Sequence, residues 1–250
     1  MQTIKFPPSE KKIFKKIYSK FINMNDREKI IEPKDKIIVG FSGGKDSLLL
    51  VYLLGQLMKD KRYQIEVIAI HVTNEQVGYH LDLNHAKEIC DQFGVPFMTL
   101  ESEEMPSSDI EDVDKNTTFC LHCGQNRRRA LLQYAKDNGF KSIALGHHMD
   151  DVAETLLMNQ LFCGCIAGIP AQFTTDKYGV KFIRPLIEVP VVLIQEWTKY
   201  IELPRLERCK YEKDSMRGEV REILEKLKVK YPYIVQSIAQ APRNVKKDYL

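Results

Sequence analysis

Two glycines, a lysine and an aspartate follow a short β-branched run in Ile37-Ile38-Val39-Gly40-Phe41-Ser42-Gly43-Gly44-Lys45-Asp46-Ser47. That order suits a phosphate-holding turn. Residues 36–39 predict a buried strand, and the Leu-rich run from Ser47 to Leu54 predicts a helix. Gly43 and Gly44 let the backbone bend tightly and bring bare N–H groups against a ligand. The positive end of the helix makes this an anion site, to which Lys45 and the hydroxyls of Ser42 and Ser47 add donors. It is not a Walker A loop, because Val39 stands where that motif needs its first glycine, and the dinucleotide G-x-G-x-x-G pattern is absent.

A second constellation lies a hundred residues on, in Ala144-Leu145-Gly146-His147-His148-Met149-Asp150-Asp151-Val152-Ala153-Glu154-Thr155. An apolar strand again ends in glycine and polar residues open a helix. Asp150, Asp151 and Glu154 fall within one helical turn, so at least two carboxylates can share a side. Capping a helix dipole accounts for one acidic residue there. Beside a phosphate loop, oxygen ligands of this kind suit Mg²⁺ on nucleotide phosphates. The imidazoles are candidate donors to phosphate, and His148 has a structural role as its alternative.

The third constellation is Cys120-Leu121-His122-Cys123-Gly124, followed by Arg127, Arg128 and Arg129. A Cys-x-x-Cys pair can be a redox dithiol, half a zinc site or two cluster ligands. No second such pair completes a zinc ribbon, and the lone Cys209 is the natural third thiolate. Three thiolates leave one position open, as in a catalytic metal site or an Fe–S cluster with a non-Cys site. Cys90, with Ile89 and Phe93 on an expected helix, reads as a core thiol. Cys163 and Cys165 are too close for an unstrained disulfide, and read as core residues or as an auxiliary sulfur-handling pair.

The elements that must carry these groups alternate. The expected strands lie at residues 36–39, 65–72, 96–100 and 142–145, with a short extended piece at 182–186. Helices are expected over 82–93 and 191–200, and after the Cys segment up to Gly139. An N-terminal helix is marked by Ile13, Phe14, Ile17, Tyr18, Phe21 and Ile22. Residues 101–115 read as an acidic loop, and the segment through Tyr231, Pro232, Tyr233 and Ile234 reads as helical. Alternation of this kind means an α/β fold, a parallel sheet with helices on both faces. Ligands then bind at the carboxyl ends of the strands, where the Ser42–Ser47 loop, His71 and Gly146–Asp151 all fall. The expected division is an N-terminal helical extension over 1–33, an α/β domain with the phosphate loop over 34–203, and a helical C-terminal extension over 204–250 that carries Cys209.

Composition excludes other classes. No apolar run is long enough to span a membrane, and the first residues lack the order of a signal peptide. Six cysteines in 250 residues are not a disulfide framework, so a reducing, cytoplasmic setting is expected. Net charge is only +3. Basic residues cluster locally at Lys11, Lys12, Lys15, Lys16 and Lys20 and at Arg127–Arg129, as either a nucleic-acid track or a solvated helix face would show.

Taken together, these motifs resemble a known family. Ser42-Gly43-Gly44-Lys45-Asp46-Ser47 is similar to the PP-loop of the N-type ATP pyrophosphatases, which cleave ATP between the α- and β-phosphates to adenylate a substrate. Cys120-x-x-Cys123 with its Arg-rich helix, Gly146-His147-His148-x-Asp150-Asp151-x-x-Glu154-Thr155 and Arg184-Pro185-Leu186 resemble the tRNA 2-thiocytidine synthetase group, over roughly residues 30–225. The resemblance implies ATP held by Gly40, Phe41, Ser42, Gly43, Gly44, Lys45, Asp46, Ser47, His71, Gly146 and His147. It implies catalytic roles for Lys45, Asp46, Asp150 and Asp151, with Mg²⁺ on Asp46 and Asp150 or Asp151. A 4Fe-4S cluster on Cys120, Cys123 and Cys209, with one iron free to carry sulfide, is implied too. So are a tRNA partner met by Arg127, Arg128, Arg129 and Arg184, and a sulfur donor, either a cysteine desulfurase or sulfide. The expected product is 2-thiocytidine at position 32, and a homodimer is left open. The alternatives are a lysidine synthetase-like ligase, a cluster-free persulfide thiolase and a non-enzymatic nucleotide- or RNA-binding module.

Overall fold

A computed structural model describes residues 6–74, 80–103, 116–207, 216–246 and 248, with the backbone alone over 116–121. Among them six strands form one sheet in the order β3-β2-β1-β4-β6-β5. These are β1 (Lys36–Gly40), β2 (Glu66–Thr73), β3 (Phe97–Glu101), β4 (Ser142–Ala144), β5 (Gln172–Thr174) and β6 (Lys181–Ile183). The helices are α1 (Pro8–Glu28), α2 (Lys45–Met58), α3 (Leu83–Phe93), α4 (Asn116–Asp137), α5 (Met149–Cys163), α6 (Val191–Thr198), α7 (Met216–Lys230) and α8 (Ile234–Gln240). Strands β1, β2, β3, β4 and β6 pair in parallel, with Val39 opposite both Ala69 and Ala144. The edge strand β5 runs antiparallel to β6. Three residues with no apolar alternation give a sequence pattern too short to announce it.

Alternate residues of β1 enter different cores, which is why its sequence is apolar without a break. Ile37 and Val39 pack with Leu48, Leu53 and Trp197, while Ile38 packs with Leu131 and Ala135 of α4. Helices therefore cover both faces, as expected. Helix α1 sends Ile17, Phe21 and Met24, one stripe at i, i+4 and i+7, into the same core as α2. Its buried Glu10 accepts the Trp197 indole N–H at 2.7 Å. Helices α2 and α3 touch so closely that a Cβ on Gly55 would lie 2.6 Å from the Phe93 carbonyl oxygen. Helices α5, α7 and α8 enclose a small core of their own, including Met149, Ala153, Val220 and Leu224.

Two local expectations are corrected. The Cys-x-x-Cys pair lies inside α4, not ahead of it, because the segment holds no proline and a single Gly124 costs a helix only about 1 kcal/mol. Burial of Leu131, Leu132 and Ala135 offsets that cost. Tyr231, Pro232 and Tyr233 form the turn between α7 and α8 and not a helix, since proline cannot continue α7. Most of the acidic loop, residues 104–115, lies outside the described residues, as does Cys209.

Candidate active site

The sheet order places β1 between β2 and β4, so the chain leaves the sheet in opposite directions on either side of β1. The crevice at the carboxyl ends of such strands is where ligands sit in open α/β sheets. A cavity of about 370 Å³ lies there, within the usual size for a small-molecule site. Ser42, Asp46, His71, Gly146, His147 and Asp151 line its polar side. Ile70, Val72, Leu131 and Leu145 supply an apolar slot fit for a flat base, and Gly124, Arg127 and Arg128 close the side toward the cysteine helix.

The phosphate loop is held by its own hydroxyls. Ser42 N–H donates to Ser47 Oγ at 3.2 Å, and Ser47 Oγ donates to the Gly44 carbonyl at 3.0 Å. Gly43 has φ +78°, a conformation that residues with a Cβ rarely adopt, so the backbone demands glycine; a Cβ there would also press on the movable end of Leu81. Gly44 caps α2, and the first-turn N–H groups of Lys45, Asp46 and Ser47 have no intrahelical acceptor. They face outward at the positive end of a 14-residue helix, an arrangement made for phosphate oxygens. Lys45 Nζ binds both oxygens of Asp46 at 2.8 Å, which keeps this cation at the mouth of the loop.

His71 fastens the loop from β2. Its Nδ1 lies 2.9 Å from the Phe41 carbonyl oxygen, so that nitrogen carries the proton and donates. Burial pulls its pKa down, the Phe41 bond opposing this, and the ring is held neutral at the cavity wall. Gly146 lets the β4 loop press against the phosphate loop: a Cβ there would lie 3.1 Å from Asp46 C and Ser47 N. His147 also lines the cavity. Burial, followed by the nearby Arg184 charge, lowers its pKa to about 4.

The three carboxylates at the start of α5 part company. Asp151 lines the cavity, accepts the His148 N–H at 2.9 Å and meets Arg217 at 3.4 Å. His148 bridges the loops, its Nε2 lying 3.6 Å from Asp46 Oδ1 and its Nδ1 3.5 Å from Asp151 Oδ2. Asp150 points elsewhere: Oδ2 accepts the Val191 N–H that opens α6, at 2.8 Å, and Oδ1 accepts Lys228 at 3.0 Å. Glu154 is gripped by Arg221 through two bonds of 2.8 and 3.0 Å. The structure thus brings Asp46 and Asp151 to the cavity and leaves Asp150 out of it. Among the described residues no group of three or more His, Cys, Asp or Glu side chains is arranged to hold a metal ion.

Cys120 and Cys123 lie three residues apart within α4. Cys123 is buried and unbridged, next to Gly124 in the cavity wall. The three arginines after it separate. Arg127 and Arg128 line the cavity, whereas Arg129 turns out to Glu103 at 3.0 Å. Arg184, expected to meet RNA, is buried beneath the surface. Its Nη1 donates to the Pro170 carbonyl at 2.8 Å and its guanidinium stacks 5.3 Å over Phe173, while burial lowers its pKa to about 10.

Sequence reasoning missed Arg217, Arg221 and Lys228. Their spacing of i, i+4 and i+11 puts them on one face of α7, and that face, opposite an acidic helix start, is the signal that could have found them.

A family model described as "PP-loop domain" matches residues 10–224. A tRNA-cytidine(32) 2-sulfurtransferase of Bdellovibrio bacteriovorus is 30% identical, over 88% of this chain and 85% of its own length. A tRNA-cytidine(32) 2-sulfurtransferase 1 of Francisella philomiragia is also 30% identical, over 100% of this chain and 96% of its own. Among solved structures, the U34-tRNA thiolase NcsA from Methanococcus maripaludis with its [4Fe-4S] cluster superposes with a TM-score of 0.77. That match is at 26% identity and covers 94% of this chain and 80% of the other.

Proposed function

The chain belongs to the PP-loop family, and from that premise we propose that it is an enzyme that thiolates a tRNA base at the expense of ATP. Cytidine 32 is the base its curated relatives are named for, and it is the target proposed here. The observation that carries the reading is one cavity with a phosphate loop on one wall and the cysteine-bearing helix on the other.

ATP would lie with its base in the Ile70–Leu145 slot and its phosphates over the first turn of α2. The N–H groups of that turn, with Lys45, offset the charge that builds on pyrophosphate as it leaves. The base carbonyl oxygen attacks the α-phosphorus, the α–β bridge breaks, and the adenylated oxygen becomes a good leaving group. Sulfide then displaces AMP at the base carbon. Neutral His147 and His71 border the reacting region without adding charge.

The residues of the cavity fit two further groups. Mg²⁺ takes one or two carboxylates and completes its shell with phosphates and water, and Asp46 and Asp151 on one cavity meet that need. Two soft thiols a turn apart, one of them buried beside the cavity, fit an Fe–S ligand set, for which Cys209 is the proposed third member. Bound there, a 4Fe-4S cluster would supply an iron position open to sulfide.

Nucleoside mass spectrometry after incubation of the anaerobically reconstituted protein with ATP, sulfide and bulk tRNA tests the proposal. It expects 2-thiocytidine at position 32 with one AMP formed per sulfur. Thiolation at uridine 34 instead would overturn the target, and tRNA-independent ATP cleavage with no thiolated base would overturn the function.

A further inference from the structure

Helix α5 ends at Cys163, and Gly164 caps it in the left-handed conformation, φ 63° and ψ 24°. The Gly164 and Cys165 N–H groups both donate to the Asn159 carbonyl, and Asn159 Nδ2 donates to Ala167 O at 2.6 Å. The turn is therefore pinned by backbone, and both thiols are left free and exposed. No charged residue occurs from Leu156 to Thr175, and Leu161, Phe162 and Ile166 beside the pair are exposed as well. An unpaired cysteine is ordinarily a core residue. Cys90 is the contrast, fully buried and with its thiol pushed up to about 12 by that burial. Two exposed thiols two residues apart have no packing role, which excludes the core reading for them.

The reaction proposed above consumes sulfur at the level of sulfide, whereas sulfur carried as a persulfide is two electrons more oxidised. A dithiol supplies those electrons. We propose that Cys163 and Cys165 form a persulfide-reducing site that releases sulfide for the thiolation centre, a role that rests on the proposed function.

One thiolate of the pair attacks the outer sulfur of a persulfide R–S–SH. The donor S–S bond breaks, R–S⁻ leaves and takes a proton, and a cysteine persulfide forms. The second thiol gives its proton to solvent and attacks the inner sulfur. HS⁻ leaves, and a Cys163–Cys165 disulfide remains. Overall, R–S–SH and two thiols give R–SH, H₂S and the disulfide, and a thiol reductant resets the pair. Across one helical residue of either hand the Cα atoms lie about 5.4 Å apart, inside the span of a disulfide. A ring this small is strained, which makes the bond easy to reduce again, as turnover requires.

The test uses the reconstituted full chain, glutathione persulfide as donor and no reductant, with sulfide measured directly. Wild type releases one sulfide per chain, and the 163–165 peptide loses two hydrogens by mass. Cys163→Ser and Cys165→Ser lower the yield at least tenfold, and Cys90→Ala leaves it unchanged. Wild-type release from the Ser variants, or a peptide that stays a dithiol, overturns the site. Loss of cluster iron in either Ser variant reassigns the cysteine as a cluster ligand, and stoichiometric Zn²⁺ on the pair without sulfide release reassigns it as a metal site; both overturn the proposal. Thiolation fed with free sulfide separates the two readings. It proceeds at the wild-type rate in the Ser variants, and its failure in wild type sinks the tRNA reading while sulfide release stands.

Discussion

Substituting the two adjacent aspartates of α5 separates a carboxylate held within the fold from one that lines the cavity. The Asp150 side chain is 8% exposed and has both oxygens occupied, by the Val191 N–H at 2.8 Å and by Lys228 at 3.0 Å. A hydrogen bond to a charged, buried acceptor contributes about 1.5–3 kcal/mol. The Lys228 contact adds less, because that ammonium keeps Glu225 at 2.7 Å and reaches solvent. Asp150→Ala removes both contacts and strands the N–H that opens α6, a loss of about 2–4 kcal/mol. Asp150→Asn keeps an amide oxygen for Val191 and forfeits only the ionic part, about 1 kcal/mol. At about 2–4 °C per kcal/mol for a chain of this size, the alanine variant melts on the order of 10 °C lower and the asparagine variant about 3 °C lower.

Asp151 works differently. It lines the cavity, and its Oδ1 has only the 3.4 Å contact with Arg217. Asp151→Asn is expected to move the melting temperature by less than about 2 °C. A neutral amide is a weaker ligand for a hard cation, so the same change shifts the Mg²⁺ concentration for half-maximal pyrophosphate release at least tenfold. The assay pairs thermal melts with Mg²⁺ titrations of tRNA-dependent pyrophosphate release, each normalised to folded protein. An Asp150→Asn variant that melts like wild type and demands more Mg²⁺ would refute this division of labour.

Two further outcomes follow from packing and burial. Gly55→Ala, which would gain about 0.5–1 kcal/mol in an open helix, instead costs about 1–2 kcal/mol net in urea unfolding, because its Cβ would meet the Phe93 oxygen at 2.6 Å; a more stable variant would show that the two helices stand further apart. His147, with its folded pKa lowered to about 4 by burial, binds its proton more readily in the unfolded chain, so stability is lost as pH falls from about 6.5 toward 4. The loss is on the order of 3 kcal/mol at most, and the difference in urea midpoint between pH 7.5 and pH 5 should shrink in His147→Asn; an unchanged difference assigns the acid sensitivity to other groups.

Both loop junctions were legible because each is written locally. An apolar strand ends in glycine, polar residues cap the next helix, and the strand order then brings Ser42, His71 and Gly146 to one edge. What the sequence does not write is the direction of adjacent side chains. Asp150 and Asp151 differ by about 100° around a helix, and only the positions of α6 and α7 decide which one meets the cavity. Arg184 follows the same logic. Its short strand ends beside Pro170 and Phe173, and that enclosure, absent from the local pattern, turns an expected surface cation into a buried one.

The basic face of α7 explains why three acids can share one helix start beside a phosphate site. Helices α5 and α7 meet through paired charges, Arg217 with Asp151 and the Thr155 hydroxyl, Arg221 with Glu154, and Lys228 with Asp150. Val220 and Leu224 pack between the charged contacts with Met149 and Ala153. Without those cations, acidic side chains at this edge would repel an approaching nucleoside triphosphate. The pairing is graded. Lys228 and Arg221 hold Asp150 and Glu154 at 2.8 to 3.0 Å, while Arg217 meets Asp151 only at 3.4 Å. The carboxylate on the cavity thus has the longest contact with a cation of the three: its Oδ2 keeps the His148 N–H at 2.9 Å, and exchanging the long Oδ1 contact for a metal ion costs the fold little. The tight pairs and the apolar contacts between them remain to hold α5, and with it His148 and Gly146, against the phosphate loop.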